Sequence, residues 1–319
     1  MRRLPIVPAS FFSIVLGTIG LGISWRVQRL WELPGGIGEG FIWLGIVVWA
    51  VLAALYVFKW VAAPGAAKAE IADPVQCCFV GLAGVATMLA GLGLLPYSEG
   101  IAALLYALGA IFTLGFGIWR TGLLWRGGRP EAATTPVLYL PLVAGSFVVS
   151  DGLSAFGYPD WGQLAFGAGF FTWLAIESVL LRRLYTEPLS EALRPTLGIQ
   201  LAPPAVGALA YVNATSGAGD ILVHAFIGYA VLQALLLARM MPWIARRFAP
   251  SLWAFSFGAT ALASASLVLA SRGDAGAIAV VAVVGFVVAN LLVVGLIVGT
   301  VALLVAGKLL PAPLGIAKP

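Results

Sequence analysis

Roughly ten apolar runs of about twenty residues, parted by short polar loops, dominate the sequence. Few folds are open to such a chain. Hydrocarbon offers no partner to a backbone N–H or C=O, so a spanning segment must bond itself, as a helix does. The runs predict an all-α membrane protein with ten transmembrane helices at 8–25, 39–60, 75–95, 99–119, 136–155, 161–182, 195–213, 219–238, 250–271 and 275–307. Only 10% of the 319 residues are charged, against about 25% in soluble domains. That leaves too little polar surface for a separate soluble domain, and residues 1–319 read as a single membrane domain. Arg2, Arg3 and the apolar run behind them resemble a signal peptide, but Pro8 comes early and no A-x-A site follows, which predicts a first span instead.

The net charge of +5 sits at helix ends, where it reports topology rather than nucleic-acid binding. Connections after even-numbered spans hold Lys59, Lys68, Arg120, Arg126, Arg129, Arg182, Arg183, Arg194, Arg239, Arg246 and Arg247, and the termini add Arg2, Arg3, Lys308 and Lys318. Connections after odd-numbered spans hold only Arg26, Arg29 and Arg272. Fifteen against three places both termini in the cytoplasm.

A proline stands near the start of each odd-numbered span: Pro8, Pro74, Pro136, Pro195 and Pro250, at intervals of 66, 62, 59 and 55 residues. Part of this is ordinary punctuation, because a first helical turn has no use for the missing N–H. Five such intervals also suggest five helical hairpins. The odd spans carry small faces: Ser10, Ser13, Gly17, Gly20 and Ser24 in the first, Gly81, Gly84 and Gly91 in the third, Ala144 and Gly145 in the fifth, Gly198, Ala202 and Ala205 in the seventh. Even spans are bulkier, with Trp43, Trp49 and Tyr56 or Phe170, Phe171 and Trp173. Small faces either let helices pack closely or line an opening, and their recurrence predicts an inner ring of five helices. Pro141, Pro203 and Pro204 lie inside odd spans and free carbonyls at membrane depth, which is tolerated beside buried backbone or a wet cavity.

The ninth span begins SLWAFSFGATALAS (251–264). Ala254, Phe257, Ala261 and Ser264 share one helical face, with a single ring among small side chains. From spacing alone, Phe257 either packs on a neighbouring helix, the commoner fate, or stands in a bore. An inner ring running outward from the cytoplasm would point five positive helix ends at that side and favour anions. A small apolar wall favours weakly hydrated ones, and a ring across the bore would gate by bulk or dewetting.

Catalysis has little support. His224 is the only histidine, no Cys/His/carboxylate cluster has metal spacing, and no P-loop or G-x-S-x-G appears, so no cofactor, metal site or enzyme activity is predicted. The adjacent Cys77 and Cys78 predict no disulfide. Intramembrane ionisable groups are few. Glu177 reads as an interfacial neighbour of Arg182 and Arg183, the alternative being a proton-coupling carboxylate. Asp151 and Asp160 read as solvated at helix ends, and Asn213, Gln233 and Asn290 as interhelical hydrogen-bonders.

LWAFSFGA (252–259), LYLPLVAG (138–145), FGAGFFTWLAIESVLLRRL (166–184), LGIQLAPPAVGALAY (197–211) and GYAVLQALLLARMMPW (228–243) resemble the tellurite-resistance/dicarboxylate transporter family, which includes plant SLAC-type anion channels. The likeness spans the chain and is strongest over the fifth to ninth spans. It implies five helical hairpins around a central pore, a homotrimer with one pore per subunit, and a gating phenylalanine that matches Phe257. The family's bacterial pattern has a pore-facing glycine where Ser13 stands and a proline where Val15 stands. With the small faces, it implies a wall of Ser13, Gly17, Gly84, Ala144, Ala202 and Ala261. The expected function is a bacterial inner-membrane channel for small monovalent anions such as chloride or nitrate. The alternative is a proton-coupled carrier of tellurite or C4-dicarboxylates.

Overall fold

A computed structural model of the chain describes residues 6–28, 30–31, 33–245 and 247–310. Arg2, Arg3, Arg29, Arg246 and Lys318, used in the charge count above, lie outside the described residues. Within them the chain is helical and carries no strand. The α-helices are α1 (Phe12–Val27), α2 (Gly35–Ala62), α3 (Pro64–Ala72), α4 (Cys77–Val80), α5 (Leu82–Leu94), α6 (Glu99–Leu124), α7 (Gly145–Ala155), α8 (Pro159–Thr186), α9 (Ala202–Ala214), α10 (Ile221–Ile244), α11 (Ser256–Ser271) and α12 (Ala277–Val305).

Nine helical stretches among the described residues are long and apolar enough to cross a membrane. The expected span at 195–213 is not one of them. Its first half is a 3₁₀ helix, Glu191–Leu201, that passes into α9. Gln200, Pro203, Pro204 and Asn213 dilute its apolar character.

Burial sorts the helices as side-chain bulk did. In the stretches containing α1, α5, α7 and α11, 61–78% of residues are buried inside the protein. In those of α2, α6, α8, α10 and α12 the share is 22–33%, so these present their bulk outward. The inner helices touch in cyclic order, α1 to α5, α5 to α7, α7 to α9, α9 to α11 and α11 back to α1. Each also packs on the helix that follows it, α2, α6, α8, α10 or α12.

Glycine sets the closeness of these pairs. A Cβ on Gly84 would lie 2.0 Å from Thr113 Oγ1 and 2.6 Å from the Gly109 carbonyl, and one on Gly109 would lie 2.5 Å from the Gly84 carbonyl. Between α1 and α2, a Cβ on Gly45 would lie 2.4 Å from Ile19 Cγ1. Only a residue without a side chain admits such approaches.

Four of the five inner spans do not begin as α-helix. Short 3₁₀ turns, Ala9–Phe11, Pro136–Leu138, Glu191–Leu201 and Pro250–Phe255, lead into α1, the fifth span, α9 and α11. α4 leads into α5. Pro136 and Pro250 sit in the first turns of their leads, Pro195 inside its own. Pro141 falls in a π-helical turn, Leu140–Ala144, ahead of α7, a distortion common at functional sites. Pro203 and Pro204 occupy the opening turn of α9.

Lysines and arginines gather at the end where these leads lie, called here the basic end. α3 is held there by a buried ion pair. Glu70 accepts from Lys59 Nζ at 2.8 Å, from Tyr56 at 2.9 Å and from the Ala9 N–H at 2.9 Å. One carboxylate thus joins α2, α3 and the lead of α1.

Candidate functional site

The leads and first α-turns of the inner ring enclose a cavity of about 150 Å³ at the basic end. Its wall draws on every odd-numbered span and on no even one: Ser13 and Leu16, Gln76 and Phe79, Val143 and Ala144, Thr196 and Ala202, Ala254 and Phe257 among them. A second cavity, about 20 Å³, lies beyond it toward the far end. Gly20, Leu89, Val148, Asp151, Leu209 and Ala261 are on its wall, again from all five odd spans. Its size suits about one water molecule. Phe257 and Val206 belong to both walls. The two spaces are therefore neighbours, with Phe257 and Val206 bordering both.

The sequence around Phe257 explains why that ring is free to do so. Ser256 turns toward α1, where a Cβ on Gly17 would lie 2.2 Å from its Oγ. Gly258 turns toward α9, where a Cβ would lie 2.8 Å from Leu201 Cγ and 2.9 Å from the Ala202 N. Clamped on both flanks, α11 directs residue 257 into the gap. Phe257 stays half-buried while Phe255, Ser256, Gly258 and Ala259 are buried. Across the gap stands glycine: a Cβ on Gly20 would be 3.8 Å from Phe257 Cδ2.

Ser13, Ala144 and Ala202 are on the inner wall, Ala261 on the outer, and Phe257 on both. Gly17 and Gly84 are on neither of these two walls. Gly17 is spent on the contact with Ser256 and Trp253, and Gly84 on the contact with Thr113 and Gly109 of α6. The small face of α1 divides accordingly. Ser10 and Ser13 meet the inner cavity, Gly20 the outer, while Ser24 bonds Ser264 Oγ at 2.8 Å and the Thr260 carbonyl at 3.0 Å.

Charge is sparse on these walls. Among the described residues, Tyr139 is the only ionisable side chain on the inner wall and Asp151 the only one on the outer. The leads of the inner spans border the inner cavity. Glu70 accepts from the Ala9 N–H of the first and Asp73 from the Val75 and Gln76 N–H groups of the third, while no side chain caps the leads of the fifth, seventh and ninth spans. Their N-terminal dipole ends make this space hospitable to an anion. An apolar lining leaves an entering ion few groups to replace its water.

Glu177 is not a partner of Arg182 or Arg183, which corrects the sequence expectation. Arg183 turns instead to the Glu187 carbonyl at 2.6 Å. Glu177 accepts from Tyr139, from Trp173 Nε1 at 3.0 Å, from Tyr229 at 2.6 Å and from Gln200 Nε2 at 3.2 Å. It ties four spans together behind the inner cavity, of whose wall Tyr139 is part. Only Trp173, one turn earlier on α8, is local; the other three donors come from distant stretches. Asp151 was expected to be solvated and instead faces the outer cavity, where Asn213 Nδ2 donates to its Oδ1. Here a signal was present: Ala144, Val148 and Asp151 are one stripe at offsets of four and three.

Cys77 and Cys78 are buried free thiols with sulfurs 3.9 Å apart. Among the described residues no three His, Cys, Asp or Glu side chains gather as metal ligands would. Asn290 accepts from Trp25 Nε1 at 2.9 Å.

The family described as voltage-dependent anion channel, SLAC1, matches residues 7–301. A tellurite resistance protein TehA homolog of Haemophilus influenzae is 35% identical over 263 residues, covering 82% of this chain and 80% of its own. An uncharacterized transporter of Methanocaldococcus jannaschii is 24% identical over 78% of this chain and 80% of its own. The S-type anion channel SLAH2 of Arabidopsis thaliana is 24% identical over 82% of this chain and 52% of its own. This multi-pass membrane protein belongs to the SLAC1 family of voltage-dependent anion channels.

Proposed function

We propose that the chain is an anion channel of the bacterial inner membrane, that it passes small monovalent anions such as chloride or nitrate, and that Phe257 is its gate. In this reading ten crossings form five hairpins around a pore. The 3₁₀ lead and α9 together make the seventh crossing, and both termini are cytoplasmic, as the basic end requires. One observation carries the proposal: two cavities, walled among the described residues only by the five inner spans and their leads, share Phe257, with Val206, on their walls. The three leads at the inner cavity that no side chain caps, those of the fifth, seventh and ninth spans, favour anions over metal cations. The sparsely polar wall favours those that shed water easily. Assembly as a homotrimer, each subunit with its own pore, follows the resemblance to the family.

A proton-coupled carrier of tellurite or C4-dicarboxylates is the second reading. The name of the Haemophilus relative and the Asp151 carboxylate speak for it. Against it, no cationic side chain is on either wall to hold a dianion. Recording from planar bilayers tests the two. The channel reading expects small wild-type chloride currents, currents at least about tenfold larger in Phe257→Ala, equivalent to about 1.4 kcal/mol of barrier, and a reversal potential set by chloride alone. Unchanged current in folded Phe257→Ala protein, or a reversal potential that follows the proton gradient, contradicts it.

A further inference from the structure

Taking the proposed pore as its basis, we infer that Asp151 is an electrostatic throttle on anion flow: its carboxylate faces the outer cavity and opposes anions when ionised, and proton binding from the far end relieves that opposition. The wall of the outer cavity is otherwise Gly20, Ile23, Leu89, Val148, Val206, Leu209, Phe257, Thr260, Ala261 and Ser264, none of which carries charge. A lone acid on the wall of the smaller cavity of the proposed anion path is the residue least suited to helping anions through. Nothing neutralises it. Asn213 donates to Oδ1, and no other described group bonds the carboxylate. An amide neighbour holds the carboxyl in place in either protonation state, since it bonds both forms through the same oxygen.

Among the described residues, the elements packed around Asp151 bring no cation to the outer cavity wall. α9 supplies Asn213. α6 supplies Tyr106, whose hydroxyl donates to the Val149 carbonyl. α8 supplies Gly162 and Gln163, the latter donating to the Ala214 carbonyl at 3.0 Å. α5, α1 and α11 supply the uncharged wall residues. Arg26 is engaged by Glu39 at 2.6 Å and by the Gly93 carbonyl at 2.9 Å. Other titratable groups at this end include Arg272, which closes α11, Asp160, in the first turn of α8, and His224 and Asp220, at the start of α10. His224 Nε2 is 4.0 Å from Asp274 Oδ1. Asp220, at the start of α10, is held below the usual carboxylate range by the Tyr211 hydroxyl and the Val223 and Leu222 N–H groups.

The sign follows directly. As pH falls at the far end, Asp151 takes up a proton, the negative field in the cavity vanishes and anion current rises. As pH rises, current falls. The test uses the full-length protein in planar bilayers, in the Phe257→Ala background so that current is large, with pH stepped on one side at a time. Asp151→Asn should raise chloride current at neutral pH roughly fivefold, a modest effect for a unit charge about 4 Å from the ion even in water. It should also flatten the dependence on far-side pH. Asp151→Ser, which removes the charge with a smaller group, should do the same and guards against misfolding of one variant. If both variants fold and keep the parent's neutral-pH current and pH profile, the throttle is overturned while the gate stands. If the Phe257→Ala parent itself carries no current, the gate fails and takes the throttle with it.

Discussion

Replacing Glu177 with Gln separates scaffold from transport. The carboxylate takes four donors on two oxygens: Oε2 from Tyr139, Trp173 and Gln200, Oε1 from Tyr229 and Gln200. A glutamine can keep its carbonyl oxygen at the Oε2 position, saving the Tyr139 and Trp173 bonds. Its NH₂ then occupies the Oε1 position. There the Tyr229 hydroxyl can reverse and accept, because a hydroxyl does both, whereas the Gln200 NH₂ must flip or lose its partner. Charge-assisted bonds of about 1.5–3 kcal/mol become neutral ones of about 1 kcal/mol, while the cost of burying a charge disappears. The two changes offset, and a net loss of about 1–3 kcal/mol remains. The variant should therefore unfold earlier on heating in detergent, yet carry chloride current of near parental amplitude in the Phe257→Ala background. Folded Glu177→Gln protein that transports nothing would refute the reasoning and place Glu177 on a proton route.

Gly84→Ala should destabilise the protein by about 1–3 kcal/mol, because the new methyl meets a backbone carbonyl that cannot step aside; monodisperse protein on heating reports it, and unaltered stability would return Gly84 to an open wall. Glu70→Gln should cost about 3 kcal/mol by leaving Lys59 charged and buried without its counter-ion. Adding Lys59→Met to that variant should restore much of the loss, and thermal unfolding of the single and double variants measures both.

The division into inner and outer helices was legible because lipid tolerates bulk and a ring of five close helices does not. Trp43 and Phe171 are exposed at the outer surface, while Gly17, Gly20 and Ser24 of α1 and Ala261, Ala263 and Ser264 of α11 are buried. The start of each inner helix was less legible. A proline marks a first turn, but whether that turn is 3₁₀, π or α depends on what surrounds it. That choice carried the span at 195–213 away from a simple apolar helix. Glycine was ambiguous at Gly17 and Gly84, since the same missing side chain suits an open wall and the tightest contact between two backbones. Ser13, Ala144 and Ala202 are on a cavity wall because each sits beside a lead, where the inner helices diverge. Phe257 could be placed by pattern, but its freedom to border two cavities comes from Ser256 and Gly258 being clamped. Glu177 and Glu70 could not be read from the chain, because most of their partners come from two or three other segments and only tertiary structure brings them together.

The central claim is that anions travel along the axis enclosed by the five inner spans. Thiol accessibility in a Phe257→Ala background lacking Cys77 and Cys78 addresses it most directly, using an anionic methanethiosulfonate reagent during chloride recording. The account predicts that the reagent silences current through Ala202→Cys, on the inner cavity wall, and leaves current through Val47→Cys, exposed on the outer face of α2, unchanged. Undiminished current through Ala202→Cys after reagent modification, verified by mass, would contradict it.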